Sequence, residues 1–167
     1  NEQLRASENR FRSFIESFHG IAFRCDIRTF TPLYFHGAVE AITGYREEDF
    51  LAASPPWDKL VHPDDLPMLV EQAKSMLNIP GYTFRREYRI IRRDGETRWI
   101  FERGRTLGDD NEKPVSVEGT IFDITDRKNI EQALRESEEK YRTLVETASL
   151  GIQISDREGR VIFTNPA

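Results

Sequence analysis

The sequence predicts an α+β fold in which an antiparallel sheet packs against several short helices. Three segments carry this prediction: an alternating stretch from Ile21 to Ile27, a long hairpin centred on Asp94-Gly95, and a strand from Val115 to Ile124 that leads into a helix. Alternation with a period of two is typical of a strand with one buried face. Asp-Gly favours a tight hairpin turn because glycine adopts positive φ at little cost. The resulting order of helix, two strands, helices and three strands is typical of α+β domains.

The first half of the chain holds two strands followed by helices. The first strand is predicted to point Ile21, Phe23, Cys25 and Ile27 inward, and Leu33 to His36 form a second, shorter strand. Short helical pieces are predicted over 38–42, 46–52 and 57–61. A longer helix is predicted from an N-cap at Asp64 to about Asn78, because Pro67 is tolerated in a first turn and Pro80-Gly81 would end the helix.

The hairpin after that helix is predicted to have a turn of even length at Asp94-Gly95. Such a turn pairs Ile90 with Trp99 and Tyr88 with Phe101 on one buried, aromatic face. The opposite face would then mix aliphatic and charged side chains, namely Glu87, Arg89, Ile91, Arg98, Ile100 and Glu102.

A long internal repeat sets the domain organisation. Residues 4–17 return as residues 134–147 with mostly conservative changes, and a repeat of this length indicates a duplicated domain. We therefore predict an amphipathic helix over 1–18, a complete domain over 19–126, a connecting helix over 127–149 and the start of a second, truncated copy over 150–167. A lone two-stranded hairpin is marginal in water. The tail from about Gly151 is accordingly predicted to be disordered or to pair with another chain.

Composition limits the classes of function. The 167 residues are 38% hydrophobic and include 11 Phe, 5 Tyr and 2 Trp, which is enough for one core. The net charge of −5 argues against general binding of nucleic acid. No apolar run approaches the ~20 residues that cross a bilayer, and the single cysteine, Cys25, excludes an internal disulfide. We expect a cytoplasmic location with no membrane contact by this segment, although the parent protein can be anchored elsewhere.

No constellation for catalysis or metal binding is visible. The glycines form no phosphate-binding loop after a strand, no nucleophile motif appears, and His19, His36 and His62 are dispersed. We therefore predict neither catalytic residues nor metal ligands in this segment.

The motifs of the hairpin and the last strand resemble those of the PAS domain. They are Glu87-Tyr88-Arg89, Asp94-Gly95, Arg98-Trp99, Glu118-Gly119-Thr120 and Asp123-Ile124-Thr125-Asp126. Ile42-Thr43-Gly44-Tyr45 and the run from Trp57 to Asp65 are similar to the family's helical section, so the resemblance covers residues 8–126. It implies a PAS fold with a five-stranded antiparallel sheet, short helices on one face and flanking amphipathic signalling helices. It also implies a bacterial multi-PAS signalling protein, either a sensor histidine kinase or, as the alternative, a diguanylate cyclase.

The resemblance raises the question of cofactors. PAS domains that bind haem carry an axial histidine on the long helix, and residues 64–78 contain none. Flavin photoadducts need a cysteine after the early helices, whereas Cys25 lies on the first strand. No covalent cofactor is therefore expected. A non-covalent flavin stays open because aromatic side chains could stack on its ring, but these side chains more often simply fill a core.

A small-molecule pocket is what the resemblance implies most directly. The candidate lining residues are Phe23, Cys25, Trp57, Phe84, Arg86, Tyr88 and Ile90. Arg86 stands out, since a guanidinium among aromatic rings is costly unless it is paired. Arg86 would either meet an anionic ligand or, as we favour, a bulge or twist of the strand would let Arg85 or Arg86 reach solvent.

The helix after the last strand is predicted to carry the signal. Its apolar residues keep heptad spacing at Ile130, Leu134, Ser137, Tyr141 and Leu144. So narrow a seam requires a partner helix, which predicts a homodimer. Asp123 and Thr125 join the last strand to this helix, so we assign the relay to Asp123, Thr125, Ile130 and Leu134. The competing interpretation is a ligand-free dimerisation module or spacer.

Overall fold

The computed structural model describes residues 19–79, 81–109, 111, 113–148 and 151–164. The chain divides into two compact units, the first ending at Thr125 and the second beginning at Asp126. The predicted N-terminal helix over residues 1–18 lies outside the described residues.

The first unit is built on a five-stranded antiparallel sheet, as predicted. Its strands follow the order β2-β1-β5-β4-β3, so the last strand of the unit lies in the middle of the sheet. The bounds are β1 Gly20–Asp26, β2 Pro32–Gly37, β3 Thr83–Ile91, β4 Thr97–Gly108 and β5 Pro114–Asp123. This order brings the two ends of the unit together, because β1 pairs directly with β5.

Three helices and one 3₁₀ turn lie between β2 and β3. They are α1 Val39–Thr43, α2 Glu47–Leu51, the 3₁₀ turn Trp57–Lys59 and α3 Leu66–Asn78. Their apolar side chains join those of one sheet face in a single core, in which α1 contributes Val39, α2 contributes Phe50 and α3 contributes Met76. The inward side chains of β1 are those predicted from alternation, since Ile21, Phe23, Cys25 and Ile27 are all buried.

Helix α3 begins differently from the prediction. Its N-cap position is Asp65 rather than Asp64, and the Asp65 side chain makes no capping hydrogen bond. The carboxylate of Asp65 instead accepts hydrogen bonds from the backbone and guanidinium of Arg89, at 2.8 Å from the backbone N and 3.0 Å from Nε. The acidic residue at the helix start therefore ties α3 to β3.

The register of the central hairpin is shifted by one residue from the predicted register. Tyr88 lies opposite Ile100 and Ile90 opposite Arg98, so the predicted pairing of Ile90 with Trp99 and of Tyr88 with Phe101 is wrong. The reason is the length of the loop. Arg92 donates its backbone N–H to the carbonyl of Glu96, which leaves three loop residues, with Gly95 at φ 87°. A three-residue loop ending in a left-handed glycine is a common alternative to the two-residue turn that Asp-Gly also favours.

The shift moves side chains between the two faces of the sheet. Ile100 and Glu102 are buried beside Tyr88 and Ile90, whereas Trp99 and Phe101 lie half-buried on the opposite face. A shift of one residue exchanges the two faces of a strand. The interior is consequently less aromatic than predicted and contains a carboxylate.

Two glycines allow the centre of the sheet to pack closely against interior rings. Gly104 on β4 lies opposite Gly119 on β5. A Cβ at Gly104 would lie 2.7 Å from Cζ of Phe84, and one at Gly119 would lie 2.9 Å from Cζ of Phe23. Both distances are too short for real contacts, so the glycines make room for the two rings against the sheet.

The second unit contains a helix and a hairpin. Helix α4 spans Thr125–Glu146 from its start at the unit boundary, and β6 Gln153–Ser155 pairs with β7 Val161–Thr164. The helix has no buried residue. The sequence predicts that the tail is disordered or pairs with another chain; in the structure its two strands pair with each other, and pairing with another chain stays a prediction.

Candidate functional site

A small cavity lies in the interior of the first unit, between the sheet and the helices. Its volume is about 60 Å³. Five of the seven predicted pocket residues line it, and the other two, Tyr88 and Ile90, are fully buried in the surrounding core. The lining residues are Phe23, Cys25, Phe30, Phe35, Trp57, Met76, Phe84, Arg86, Glu102, Val117 and Ile121.

Arg86 points into this interior and is paired with Glu102. Its Nε lies 2.8 Å from Oε2 of Glu102 and its Nη2 lies 3.0 Å from Oε1, so the two planar groups meet through two parallel hydrogen bonds. The side chains are only 10% and 5% exposed. Of the two arginines named in the favoured prediction, Arg85 reaches solvent and Arg86 does not, because the strand has no bulge there and the neighbouring strand supplies the counter-charge of Arg86.

Other side chains contact the part of the Arg86 guanidinium that does not bind Glu102. Its Nη1 donates to Oε1 of Gln72 on α3 at 3.3 Å. The guanidinium carbon lies 4.7 Å from the ring centroid of Phe84 and 5.5 Å from that of Tyr88, within the range of cation–π attraction. A buried charge of this kind is tolerated only when it is paired and hydrogen-bonded, and both conditions are met.

The polar network extends from Glu102 to the helical layer. Tyr88 donates its hydroxyl to Oε2 of Glu102 at 2.6 Å and accepts from Nε1 of Trp57 at 2.9 Å. Burial, together with the nearby Glu102 carboxylate, raises the pKa of Tyr88 well above its usual value. The hydroxyl therefore remains protonated. A continuous set of hydrogen bonds joins the 3₁₀ turn, β3, β4 and α3 around the cavity.

Sequence reasoning missed Glu102. The predicted register placed it on the outer face, whereas the observed register sets it directly opposite Arg86. Opposite charges at facing positions of neighbouring strands attract each other. The pairing of Arg86 with Glu102 in the shifted register is the signal that could have identified it.

Cys25 lies at the cavity as an unreactive thiol. Burial, with smaller contributions from Glu102 and Asp26, raises the pKa of Cys25 to about 12. Thiol chemistry requires the thiolate, so this side chain acts as a small apolar group at neutral pH.

The size of the cavity bears on the cofactors considered above. Pockets that hold drug-sized ligands measure roughly 300–1,000 Å³, against about 60 Å³ here. The polar groups on its wall, Arg86 and Glu102, already satisfy each other. A flavin ring does not fit this interior.

The predicted relay residues lie at the junction of the sheet and α4. Oδ1 of Asp123 accepts the backbone N–H of Thr125 at 2.8 Å, and Oγ1 of Thr125 accepts the backbone N–H of Trp99 at 3.0 Å. Ile124 donates its backbone N–H to the Trp99 carbonyl at 2.9 Å. The beginning of α4 is thus held by β4. Ile130 and Leu134 further along the helix are 70% and 60% exposed, and their relay role stays a prediction.

Within the described part of the chain, no group of three or more His, Cys, Asp or Glu side chains is arranged to hold a metal ion. Across the same residues, every helix is too short or too polar to cross a bilayer.

The fold and its interior define a class of small α+β module, in which a five-stranded antiparallel sheet and a layer of short helices enclose a polar-lined cavity. The chain belongs to the PAS-fold family, whose family model matches residues 32–121. The predicted family is therefore confirmed.

Relatives of the chain come from signalling proteins. It is 30% identical over 146 residues, or 86% of its length, to a methyl sulfide methyltransferase-associated sensor of Methanosarcina acetivorans. It is 28% identical over 87% of its length to the two-component sensor PprA of Pseudomonas aeruginosa. The crystal structure of a sensory box histidine kinase/response regulator from Burkholderia thailandensis is 31% identical with a TM-score of 0.64, covering 81% of this chain and 99% of that one.

The match covers only a part of the curated relatives. The chain spans 14% of the length of the Methanosarcina sensor and 16% of that of PprA. The family and these relatives identify the chain as a PAS sensor domain of the kind that signalling proteins carry.

Proposed function

We propose that this domain is the input module of a sensor histidine kinase, in which a small molecule or partner acts on the interior and α4 carries the response to the output domain of a homodimer. The observation that carries the proposal is the double role of β4. The strand directs Glu102 into the cavity wall, and three residues earlier its backbone at Trp99 binds the beginning of α4. The distance along the strand is about 10 Å.

The mechanism follows from the bonds that β4 makes. A molecule that enters the cavity must move Arg86 or Glu102, because these side chains form the polar part of the wall. Glu102 also holds Tyr88 and, through it, Trp57. A displacement of β4 would change the hydrogen bonds of Trp99 to Ile124 and Thr125, and would thereby act on the first residue of α4. A ligand shifts such an equilibrium only by its difference in affinity for the two arrangements.

The exposed seam of α4 supports the dimeric part of the proposal. Ile130, Leu134, Tyr141 and Leu144 are between 56% and 70% exposed. Heptad spacing of apolar residues on a helix that is otherwise charged favours a partner helix. A rotation at the beginning of the helix would then be transmitted along the paired seam. A diguanylate cyclase as the output domain is the alternative, since the same connector would serve it.

One observation favours a second candidate, a ligand-free dimerisation module or spacer. The cavity of about 60 Å³ has the volume that about two water molecules occupy in the liquid. A filled core with a satisfied ion pair would stabilise the fold without binding any molecule.

The first test is a UV–visible spectrum and a native mass spectrum of the freshly purified protein. A colourless protein with a bound small mass supports the sensory proposal and identifies the ligand class. A colourless, empty protein that still dimerises supports the spacer. Absorbance beyond the aromatic band would contradict both, because this interior does not fit a flavin.

The dimer is tested by sedimentation equilibrium. Leu134→Asp places a carboxylate in the seam and should yield a monomer of the chain mass, 19.5 kDa. Arg135→Asp is the matched control, since it introduces the same carboxylate one residue away from the seam. A native chain that stays monomeric at high concentration, with helix geometry unchanged by ligand, would overturn the proposal.

A further inference from the structure

The outer face of the sheet carries a cluster of arginines that the interior site does not use. Arg24 of β1, Arg85 of β3, and Arg103 and Arg105 of β4 project away from the core and are exposed. Glu118 of β5 lies among them. We refer to these five residues as the arginine face. With four arginines and one glutamate it is positive, and it stays positive when the neighbouring Glu87 on the same side of β3 is included, although the whole chain carries a net charge of −5.

The carboxylate of Glu118 is already shared. Oε2 of Glu118 accepts from Nη2 of Arg24 at 2.6 Å, and Oε1 accepts from Nε and Nη2 of Arg105 at 3.1 and 3.0 Å. These guanidiniums, first of all that of Arg24, lower the pKa of Glu118. Glu118 is therefore ionised at neutral pH and fully engaged with two arginines.

The other two arginines oppose each other. Arg85 lies directly across from Arg103 on the neighbouring strand. Within the described ranges of the chain, neither side chain has a hydrogen-bonding or ion-pairing partner. Like charges at facing positions of a sheet destabilise it. Two adjacent guanidiniums that have no partner among the described residues thus form a place where an incoming carboxylate would relieve repulsion as well as gain hydrogen bonds.

The arginine face borders an open groove that has room for a peptide. The groove has a volume of about 1220 Å³, and the apolar groups on its wall include Ala22, Tyr34 and Leu33, the last of which is 62% exposed. Thr83 and Thr120 add hydroxyl groups. A polypeptide segment meets such a mixture better than an inorganic ion would, because it brings both carboxylates and apolar side chains.

We propose that the arginine face is a docking site for an acidic peptide segment of a partner protein, with Arg85 and Arg103 receiving one of its carboxylates between them. Arginine suits this role because its planar fork binds a carboxylate through two hydrogen bonds. The net negative charge of the remaining surface disfavours a polyphosphate such as nucleic acid. The arginine face lies on the opposite side of the sheet from the interior cavity, although Phe23 and Phe84 line both the groove and the cavity, and it does not depend on the function proposed for that cavity.

The test is a fluorescence anisotropy titration of fluorescein-labelled hexaglutamate, with hexaglutamine and a dodecathymidylate as comparison probes, at low salt. We expect hexaglutamate to bind in preference to both. The double variant Arg85→Ser/Arg103→Ser should weaken binding by about tenfold or more. The double variant Arg28→Ser/Arg157→Ser is the matched control, because it removes two exposed arginines outside the face and should change the affinity less than about twofold.

A variant that should strengthen the binding of hexaglutamate completes the test. Glu118→Gln removes the carboxylate that occupies Arg24 and Arg105, so hexaglutamate should bind several-fold more tightly. The urea midpoint of Arg85→Ser/Arg103→Ser should not fall, since the substitution removes a repulsion, and this separates loss of binding from loss of folding. Absence of hexaglutamate binding, equal weakening in the control variant, or tighter binding of the dodecathymidylate would each overturn the proposal.

Discussion

Replacing Glu102 by glutamine tests the interior network directly. The carboxylate accepts three hydrogen bonds, two from Arg86 and one from Tyr88, and its side chain is 5% exposed. The amide keeps the shape but leaves the guanidinium of Arg86 charged and buried. Removing one partner of a buried ion pair costs about 3–5 kcal/mol. This is a large part of the roughly 5–15 kcal/mol by which domains are stable.

The assay is urea denaturation followed by tryptophan fluorescence. With a slope of about 2 kcal/mol per molar urea, the midpoint of Glu102→Gln should fall by about 2 M. Trp57 reports on the network itself, since it donates to Tyr88. Glu118→Gln is a matched control on the outer face. Its ion pairs are more exposed, so the loss should be at most about 1 kcal/mol.

A double variant separates the charge from the packing. Arg86→Leu/Glu102→Leu replaces both charges by apolar groups and should be less destabilised than Glu102→Gln alone, because no charge remains buried without a partner. If Glu102→Gln lost less than about 1 kcal/mol, or the double variant lost more than the single one, the network would not stabilise the fold in the way described.

Three further predictions concern other parts of the first unit. The hydrogen bonds from Arg89 lower the pKa of Asp65, so Asp65→Asn should cost about 1–3 kcal/mol at neutral pH. The stabilisation by Asp65 is present above its unfolded pKa and lost as pH falls through the folded pKa, so the deficit should shrink below about pH 4. Gly119→Ala should cost about 1–3 kcal/mol or more, because its Cβ would lie 2.3 Å from the carbonyl oxygen of Arg103. Cys25, with a pKa of about 12, should react with Ellman's reagent only when the protein unfolds.

Each of these predictions has a control within the chain. Asp64→Asn, at a side chain that is 70% exposed, should change stability by less than about 0.5 kcal/mol. Gly151→Ala introduces a Cβ with no atom within 4 Å and should be equally mild. Urea should make the thiol of Cys25 fully reactive. A pH-independent deficit in Asp65→Asn, a fully stable Gly119→Ala, or rapid labelling of the folded protein would contradict the respective argument.

The elements of the fold could be predicted from sequence patterns, but the pairing of the central hairpin could not. Alternation identified the inward side chains of β1 because charged and apolar residues alternate cleanly there. In β4 the run Trp99-Ile100-Phe101 is apolar throughout, so its pattern does not say which face is buried. The register then depended on the loop at Asp94-Gly95, which is compatible with either two or three residues. One residue of loop length decided the face of Glu102.

Prediction of the candidate site also depended on the register of the central hairpin. Four of the five predicted residues that line the cavity lie on β1 and β3, where alternation places them, and the fifth, Trp57, lies in the 3₁₀ turn. The partner of Arg86 could not be found without the register, and the small volume of the cavity depends on side-chain packing that no pattern reports. The role of Asp65 likewise depends on a contact with Arg89, 24 residues away in sequence.

Helix α4 has no buried residue. The degree to which this helix is ordered should therefore depend on the concentration of neighbouring chains. In proteins most of the stability of a helix comes from packing of its amphipathic face rather than from the intrinsic propensity of its residues. If a second copy associates along Leu134 and Tyr141, as proposed above, it would order these 22 residues, and by mass action this coupled ordering would grow with the concentration of copies. A higher local concentration of the parent protein would then increase the helical order of α4, and dilution would decrease it.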